Sequence, residues 1–367
     1  MNDEASIDKG AVYAALREVK DPDFNRDIVD LGFVRDMVIS GGDVSFTIEL
    51  TTPACPVKDQ FKRQAEEAVR AAIPGVGRVE VNMTSRVRHG PGGVIGDVEI
   101  GGDVKNIIAV ASAKGGVGKS TVAVNLAVSL AGFGAKVGLC DADIYGPSAP
   151  LLLGIKKGPM MGRRGRILPV ETKGIKVISI GLLTEPDAAV VWRGPLASGA
   201  LKQFISDVDW GELDYLVFDM PPGTGDIPLT LVQTVAVTGV VMVTTPQDIA
   251  LADVRRGMRM FEKVEVPVLG IVENMSYYTC PECGHREEIF DHGGGRRMAD
   301  EQGVPLIAEV PLGLGVRASG DSGEPVVTSA PDSPAGRAFT TMAQEVARLV
   351  AVRNEALPAT LKVEMQK

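Results

Sequence analysis

"IIAVASAKGGVGKST", residues 107–121, decides how the whole chain is read. It opens with an unbroken apolar run, as expected of a strand buried on both faces. A short loop with Gly115, Gly116 and Gly118 follows, and from Lys119 onward the pattern turns helical. Strand, glycine-rich loop and helix start, in that order, are the context the GxxxxGK[ST] motif requires. The glycines let the backbone curl until successive N–H groups point at phosphate oxygens, and the helix N-terminus adds its dipole. Ala113, Lys114, Gly115, Gly116, Val117, Gly118, Lys119, Ser120 and Thr121 are therefore the expected nucleotide-binding segment. Lys119 is expected to bridge the β and γ phosphates of ATP, Ser120 to hold Mg²⁺ and Thr121 to reach the α phosphate. Ala113 stands where the motif has its first glycine, a position that tolerates a small residue. A glycine-rich turn without a ligand is the plain alternative.

Working outward, the same strand pattern recurs. "KVGLCDAD" (136–143), "DYLVFDMPP" (214–222), "GVVMVTTP" (239–246) and "VPVLGIVENM" (266–275) are near-continuous apolar runs. Helical spacing at 120–132, 194–207 and 248–263 separates most of them. Alternation of this kind predicts an α/β fold with a doubly wound, mostly parallel sheet over residues 105–355. A helix over roughly 332–352 closes it, and 356–367 reads as a loose tail.

Residues 1–88 read as a small α/β domain ahead of it. Val44, Phe46, Ile48 and Leu50 alternate strictly after a Gly41-Gly42 turn, the signature of a hairpin. A helix should follow, with Pro56 at its first position and Gly75 just past its end. The glycine-rich stretch 89–104 reads as a linker.

Bulk composition excludes several functions. A net charge of −9 argues against a general nucleic-acid binder. There is no apolar run of about 18 residues, so no membrane span is expected. The acidic start "MNDEASIDKG" is unlike a secretory or mitochondrial leader. Four cysteines in 367 residues make no disulfide framework, which favours the reducing cytoplasm. Cys280 and Cys283 stand in CxxC spacing, a redox or metal signal that supplies only half of a four-ligand site.

Lys114, a second lysine at the start of the loop, makes KGGVGKS resemble the deviant phosphate loop of MinD/ArsA-type ATPases. The resemblance implies that Lys114 crosses a homodimer interface to touch phosphates bound by the partner subunit. It also implies that Asp143 positions the attacking water or the metal shell, and that Asp219 is the Walker B aspartate. Gly223 would then be free to donate its N–H to the γ phosphate. Asn274 matches the family's base-reading asparagine. With Lys114 and Lys119, Asp143 and Asp219 form the expected catalytic set. Either aspartate alone could equally cap a strand end.

The resemblance implies a dimer around nucleotide, and if Cys280 and Cys283 lie near its twofold axis, two such pairs supply the missing half of the CxxC site. Four thiolates suit zinc or an iron–sulfur cluster. Together "KGGVGKST", "DADIYGPS", "DMPPGTGD" and a CPxC directly after "ENMSYY" resemble the Mrp/ApbC-type iron–sulfur cluster carrier ATPases. The resemblance implies a labile [4Fe–4S] cluster, bridging two subunits and handed to apo iron–sulfur proteins, with no nucleic-acid or membrane partner. "DPDFNRDIVDLGFV" and "TTPACPVKD" resemble the small iron–sulfur assembly domain fused ahead of such carriers. Cys55, next to a helix start, is expected either to have a lowered thiol pKa and take part in cluster transfer or to be a buried, inert cysteine. Cys140 reads as core, His285 as an exposed loop residue, and His89 and His292 carry no signal. The competing reading is a MinD/ParA-like positioning or partition ATPase with a structural zinc site.

Overall fold

The computed structural model describes residues 7–90, 100–162, 165–183, 199 and 206–356. The chain divides into two compact units, Met1–Arg88 and His89–Lys367.

The first unit has two helices, α1 (Lys9–Leu16) and α2 (Lys58–Ala72), and a three-stranded sheet. Strands β1 (Val34–Ser40) and β2 (Asp43–Leu50) are antiparallel, and β3 (Val79–Ser85) pairs parallel to β2. Gly41 and Gly42 have φ of 58° and 87°, the left-handed pair that a tight hairpin turn demands. Val44, Phe46, Ile48 and Leu50 all face the core. Phe61, Ala65 and Val69 of α2 recur every fourth residue and are buried with them.

One expectation fails here, and one open choice narrows. The helix starts at Lys58, so Pro56 lies in the turn before it and not at its first position. Cys55 is half-buried, and burial, its largest influence, pushes its thiol pKa up. The Val57 N–H opposes that rise, and Asp21 and Asp23 add to it. Desolvation outweighs the pull of the nearby helix start, so the buried, inert alternative is the one that fits.

In the second unit, β4 (Ile107–Ala111), β5 (Val137–Asp141), β6 (Ile175–Ser179), β7 (Tyr215–Asp219), β8 (Gly239–Thr244), β9 (Val268–Thr279) and a later strand over Leu306–Leu312 form a parallel core. Their spatial order is β6-β5-β7-β4-β8-β9, with Leu306–Leu312 against β9. Helices α3 (Lys119–Gly132), α4 (Asp226–Thr234) and α5 (Asp248–Lys263) connect them. Every residue of β4, β5, β7 and β8 is buried, which is why those runs carry no polar alternation.

Beyond β9 come β10 (Arg286–Glu287), α6 (Gly294–Gln302), β11 (Leu306–Leu312), α7 (Leu314–Ser322) and the closing helix α8 (Pro334–Ala356). That last helix runs past 352 to Ala356, and its buried face, with Phe339, Met342 and Val346, ends at Val350. The 194–207 helix and the loose tail fall largely outside the described residues.

The glycine-rich stretch is no free linker at its C-terminal end. Asp103–Val104 pairs in parallel with Glu212–Leu213, and the Trp210 N–H donates to the Gly101 carbonyl at 2.9 Å. A Cβ at Gly101 would sit 2.1 Å from the Val208 carbonyl oxygen, so glycine serves close packing there. Among the described residues no helix is long and apolar enough to cross a membrane.

Candidate functional site

The C-terminal ends of β4, β5 and β7 lie side by side, with Asp219 in register with Asp141 and Val110. In an open parallel sheet this is where a ligand binds. The loop after β4 folds over those ends, and Gly116 and Gly118 take φ of 83° and 82°. Gly118 is the left-handed residue from which α3 starts, which leaves the helix's first N–H groups facing the loop. A Cβ at Gly118 would lie 2.2 Å from Asn274 Nδ2. Gly118→Ala is therefore expected to abolish ATP binding in an equilibrium filter assay. Removing Asn274 as well should relieve the clash but leave about 1–2 kcal/mol of left-handed strain.

Lys119 is 6% exposed, although it is a lysine. Its ammonium donates to Asp219 Oδ1, reaches Ser120 Oγ at 3.3 Å and faces Asp143 Oδ2 at 3.7 Å. Asp143 also accepts the Gly146 N–H at 3.2 Å, which shapes the turn after β5. Asp219 Oδ2 is buried with no hydrogen-bond partner among the described residues. An orphaned carboxylate oxygen beside a serine hydroxyl fits Mg²⁺, a hard cation that takes oxygen ligands and keeps waters. Ser120 and Asp219 are the residues that would hold it.

Around these groups is a cleft of about 310 Å³ lined by Gly115, Gly116, Lys119, Ser120, Asp143 and Pro222, among others. A second, of about 340 Å³, shares Gly118, Thr121 and Leu152 with it and continues past Asn274 and Met275 to Pro311–Gly313 and Arg317. The pair has the shape of a nucleotide site, a polar phosphate end joined to a more apolar base end. Lys114 is exposed at the lip of the loop.

Two donors expected to face the nucleotide have partners within the protein. The Gly223 N–H donates to the Ser112 carbonyl at 2.8 Å, because the 220–223 segment closes onto the end of β4, so it is not free for a γ phosphate. Asn274 Nδ2 donates to the Val117 carbonyl at 2.8 Å and props the loop from beneath. Reading of a base by Asn274 is thereby left to its amide oxygen.

The structure adds Asp141, which the sequence placed at a strand end without a role. It is fully buried and accepts from the Asp143 N–H (3.2 Å), the Ala149 N–H (3.1 Å) and the Ser179 hydroxyl (3.0 Å). It thus ties the turn that carries Asp143 to β6. A charge at the end of the otherwise apolar "VGLCD" was its only sequence signal. Burial first, then repulsion from Asp219, raises its pKa from 3.8 to about 7. Asp219 is raised too, by burial, against the pull of Lys119.

A raised carboxylate pKa gives stability that is full below the unfolded value and lost as pH rises through the folded one. The melting temperature of the nucleotide-free protein should therefore fall between about pH 4 and about pH 7 and then level off. In Asp141→Asn the Asp141 part of that slope should be missing.

The cysteines sit elsewhere. β9 and β10 are antiparallel, with Tyr278 opposite Glu287 and Thr279 opposite Arg286, and the hairpin tip carries Cys280 to Cys283. The Cys280 N–H donates to the His285 carbonyl and the Gly284 N–H to the Cys280 carbonyl, both at 2.9 Å. Gly284 takes φ of 72° to close this knuckle. The Cys280 thiol is held below its usual range by the Cys283 N–H, then the Glu282 N–H, both aimed at its sulfur. Cys283 is exposed. Backbone donors aimed at a sulfur favour its thiolate, the form of a cysteine that binds metal. Cys140 lies within β5, and burial raises its pKa, as for a core thiol.

Residues 103–347 match the protein family described as NUBPL iron-transfer P-loop NTPase, and residues 9–82 match the iron–sulfur cluster assembly protein family. The iron–sulfur cluster carrier protein of Synechocystis is 49% identical over 347 residues, which cover 93% of this chain and 98% of that protein. A nucleotide-binding protein from Archaeoglobus fulgidus, solved in complex with ADP and with cobalt found, is 43% identical at a TM-score of 0.54. That match covers 60% of this chain and 87% of that one. The cell division ATPase MinD of Pyrococcus furiosus, 23% identical at a TM-score of 0.50 over 66% of this chain and 98% of its own, shares the fold.

Proposed function

The chain belongs to the NUBPL iron-transfer P-loop NTPases, and we propose that two copies of it hold one [4Fe–4S] cluster between their cysteine knuckles and pass it to apo-proteins in the cytoplasm. It is an ATPase and an iron–sulfur cluster carrier. The observation that carries the reading is the Cys280–Cys283 knuckle, a CxxC thiol pair at a hairpin tip with Cys283 exposed and Cys280 half-buried, in a chain that also bears a complete phosphate loop. One chain offers two sulfurs there, and a cluster of this kind takes four. The cluster is cargo, bound by exposed thiolates from which an apo-protein can take it. The positioning-ATPase alternative is set aside, because the likeness to MinD is one of fold while the likeness to cluster carriers runs the length of the chain.

ATP would enter along the two joined clefts, with its phosphates under the N–H groups of Gly115 to Thr121. Lys119 must then leave Asp219 and Asp143 and turn to the β and γ phosphates. Ser120 and Asp219 would hold Mg²⁺, which would supply positive charge to the phosphate oxygens. Freed from the lysine, Asp143 orients the attacking water from a turn held rigid by Asp141. Lys114 reaches the partner's phosphates, so hydrolysis and pairing are one event.

The test mixes cluster-loaded protein anaerobically with an apo-ferredoxin, with and without Mg-ATP, and follows holo-ferredoxin by its absorption. Transfer that survives an iron chelator in solution and responds to nucleotide is expected. Iron that reaches the chelator first would reject the carrier reading.

A further inference from the structure

We propose that Glu273, His292 and Glu309 form a binding site for one divalent first-row metal ion, separate from the thiolate pair, at the foot of the hairpin that carries it. The three come from three segments: β9, the loop before α6, and β11. One ligand atom from each lies within 4.8 Å of the other two. Glu273 and Glu309 are register partners on neighbouring parallel strands, so their carboxylates stand together by construction.

Glu273 is fully buried. Its oxygens accept the Ser276 hydroxyl and the Gly295 N–H, both neutral donors. Neither glutamate has an ion-pair partner among the described residues. A buried carboxylate beside a second one favours a cation between them. The backbone at the start of α6 packs closely against Glu273. A Cβ at Gly295 would come within 2.9 Å of Glu273 Cβ and 3.0 Å of its Oε2, and one at Gly294 within 2.3 Å of the Pro246 carbonyl oxygen. The glycine run that made His292 look uninformative is thus required to bring the helix start onto Glu273.

His292 is fixed from both sides of its backbone, donating to Asp291 Oδ1 at 2.8 Å and accepting from Arg297 at 3.3 Å. Arg286 Nη2 lies 3.4 and 3.5 Å from the two ring nitrogens, and its guanidinium carbon sits 3.9 Å above the Tyr277 ring. That cation touches the imidazole but neither carboxylate. An ion bound through the imidazole would compete with Arg286 for the ring nitrogens. Arg286 pairs with Thr279, the residue before Cys280, so occupancy would be felt at the knuckle. One imidazole and two carboxylates suit a borderline ion such as Fe²⁺, Zn²⁺ or Co²⁺ better than a soft one.

The test uses the full chain with Cys280→Ser and Cys283→Ser and no nucleotide, so that it is independent of the carrier reading. Co²⁺ is titrated in, followed by its visible absorption and by calorimetry. We expect binding that persists in Asp219→Asn and weakens at least about tenfold in His292→Ala and in Glu309→Gln. Both positions are only half-buried, and circular dichroism verifies that the variants fold. Unchanged affinity in both variants would overturn the proposal. So would a folded protein that binds no Co²⁺ at millimolar concentration.

Discussion

Cys283→Ala is expected to lose the cluster completely, not partially. After anaerobic reconstitution the variant should lack the broad visible absorption of bound iron and sulfide, and Cys280→Ala should match it. The reason is arithmetic within a symmetric pair, because each substitution removes one sulfur from both chains and leaves half of a four-thiolate set. Neither cysteine lines the phosphate cleft, so ATP binding should be retained. Cys55→Ala and Cys140→Ala should keep the absorption. Burial holds both of these thiols protonated, and Cys140 is walled into the sheet.

Lys119→Ala should produce the second large effect, a loss of ATP hydrolysis of at least about 100-fold, as for removal of any preorganised donor to a charged transition state. It should also destabilise the nucleotide-free protein, which a purely catalytic lysine would not do. Its ammonium is buried between Asp219 and Asp143, and taking it away leaves carboxylates without compensation, at a cost of about 3–5 kcal/mol. The two effects can be separated. Lys119→Met combined with Asp219→Asn removes both halves of the pair and should recover most of the stability, as read by chemical denaturation. ATP hydrolysis, measured as released phosphate, should stay absent. Recovery of activity in the double variant would contradict the role given to Lys119.

Much of this architecture was legible before any coordinates. Strands buried on both faces announce themselves as apolar runs, and a phosphate loop is a local motif whose geometry its own glycines enforce. The Gly41-Gly42 hairpin and the buried face of α2 follow from periodicity in the same way. What escaped were long-range choices. That Gly223 spends its N–H on Ser112, and Asn274 its amide on Val117, depends on which loops close over which strand ends. Cys55 stayed open between two readings because a helix start can be seen in sequence, whereas the burial that outweighs it cannot. Asp141, Glu273 and His292 belong to constellations assembled from distant segments. Only the pairing of β9 with β11, and the glycines that let α6 approach, put the last two together.

The pairing of two chains around shared sulfur ligands is tested most directly by weighing the species that holds the iron. Reconstituted protein would be run in anaerobic sedimentation velocity, with absorbance recorded at a protein wavelength and at the cluster's visible wavelength. The visible signal should travel only with a dimer, and iron analysis of that boundary should give about four iron atoms per two chains. A visible boundary that sediments as a single chain would contradict the account.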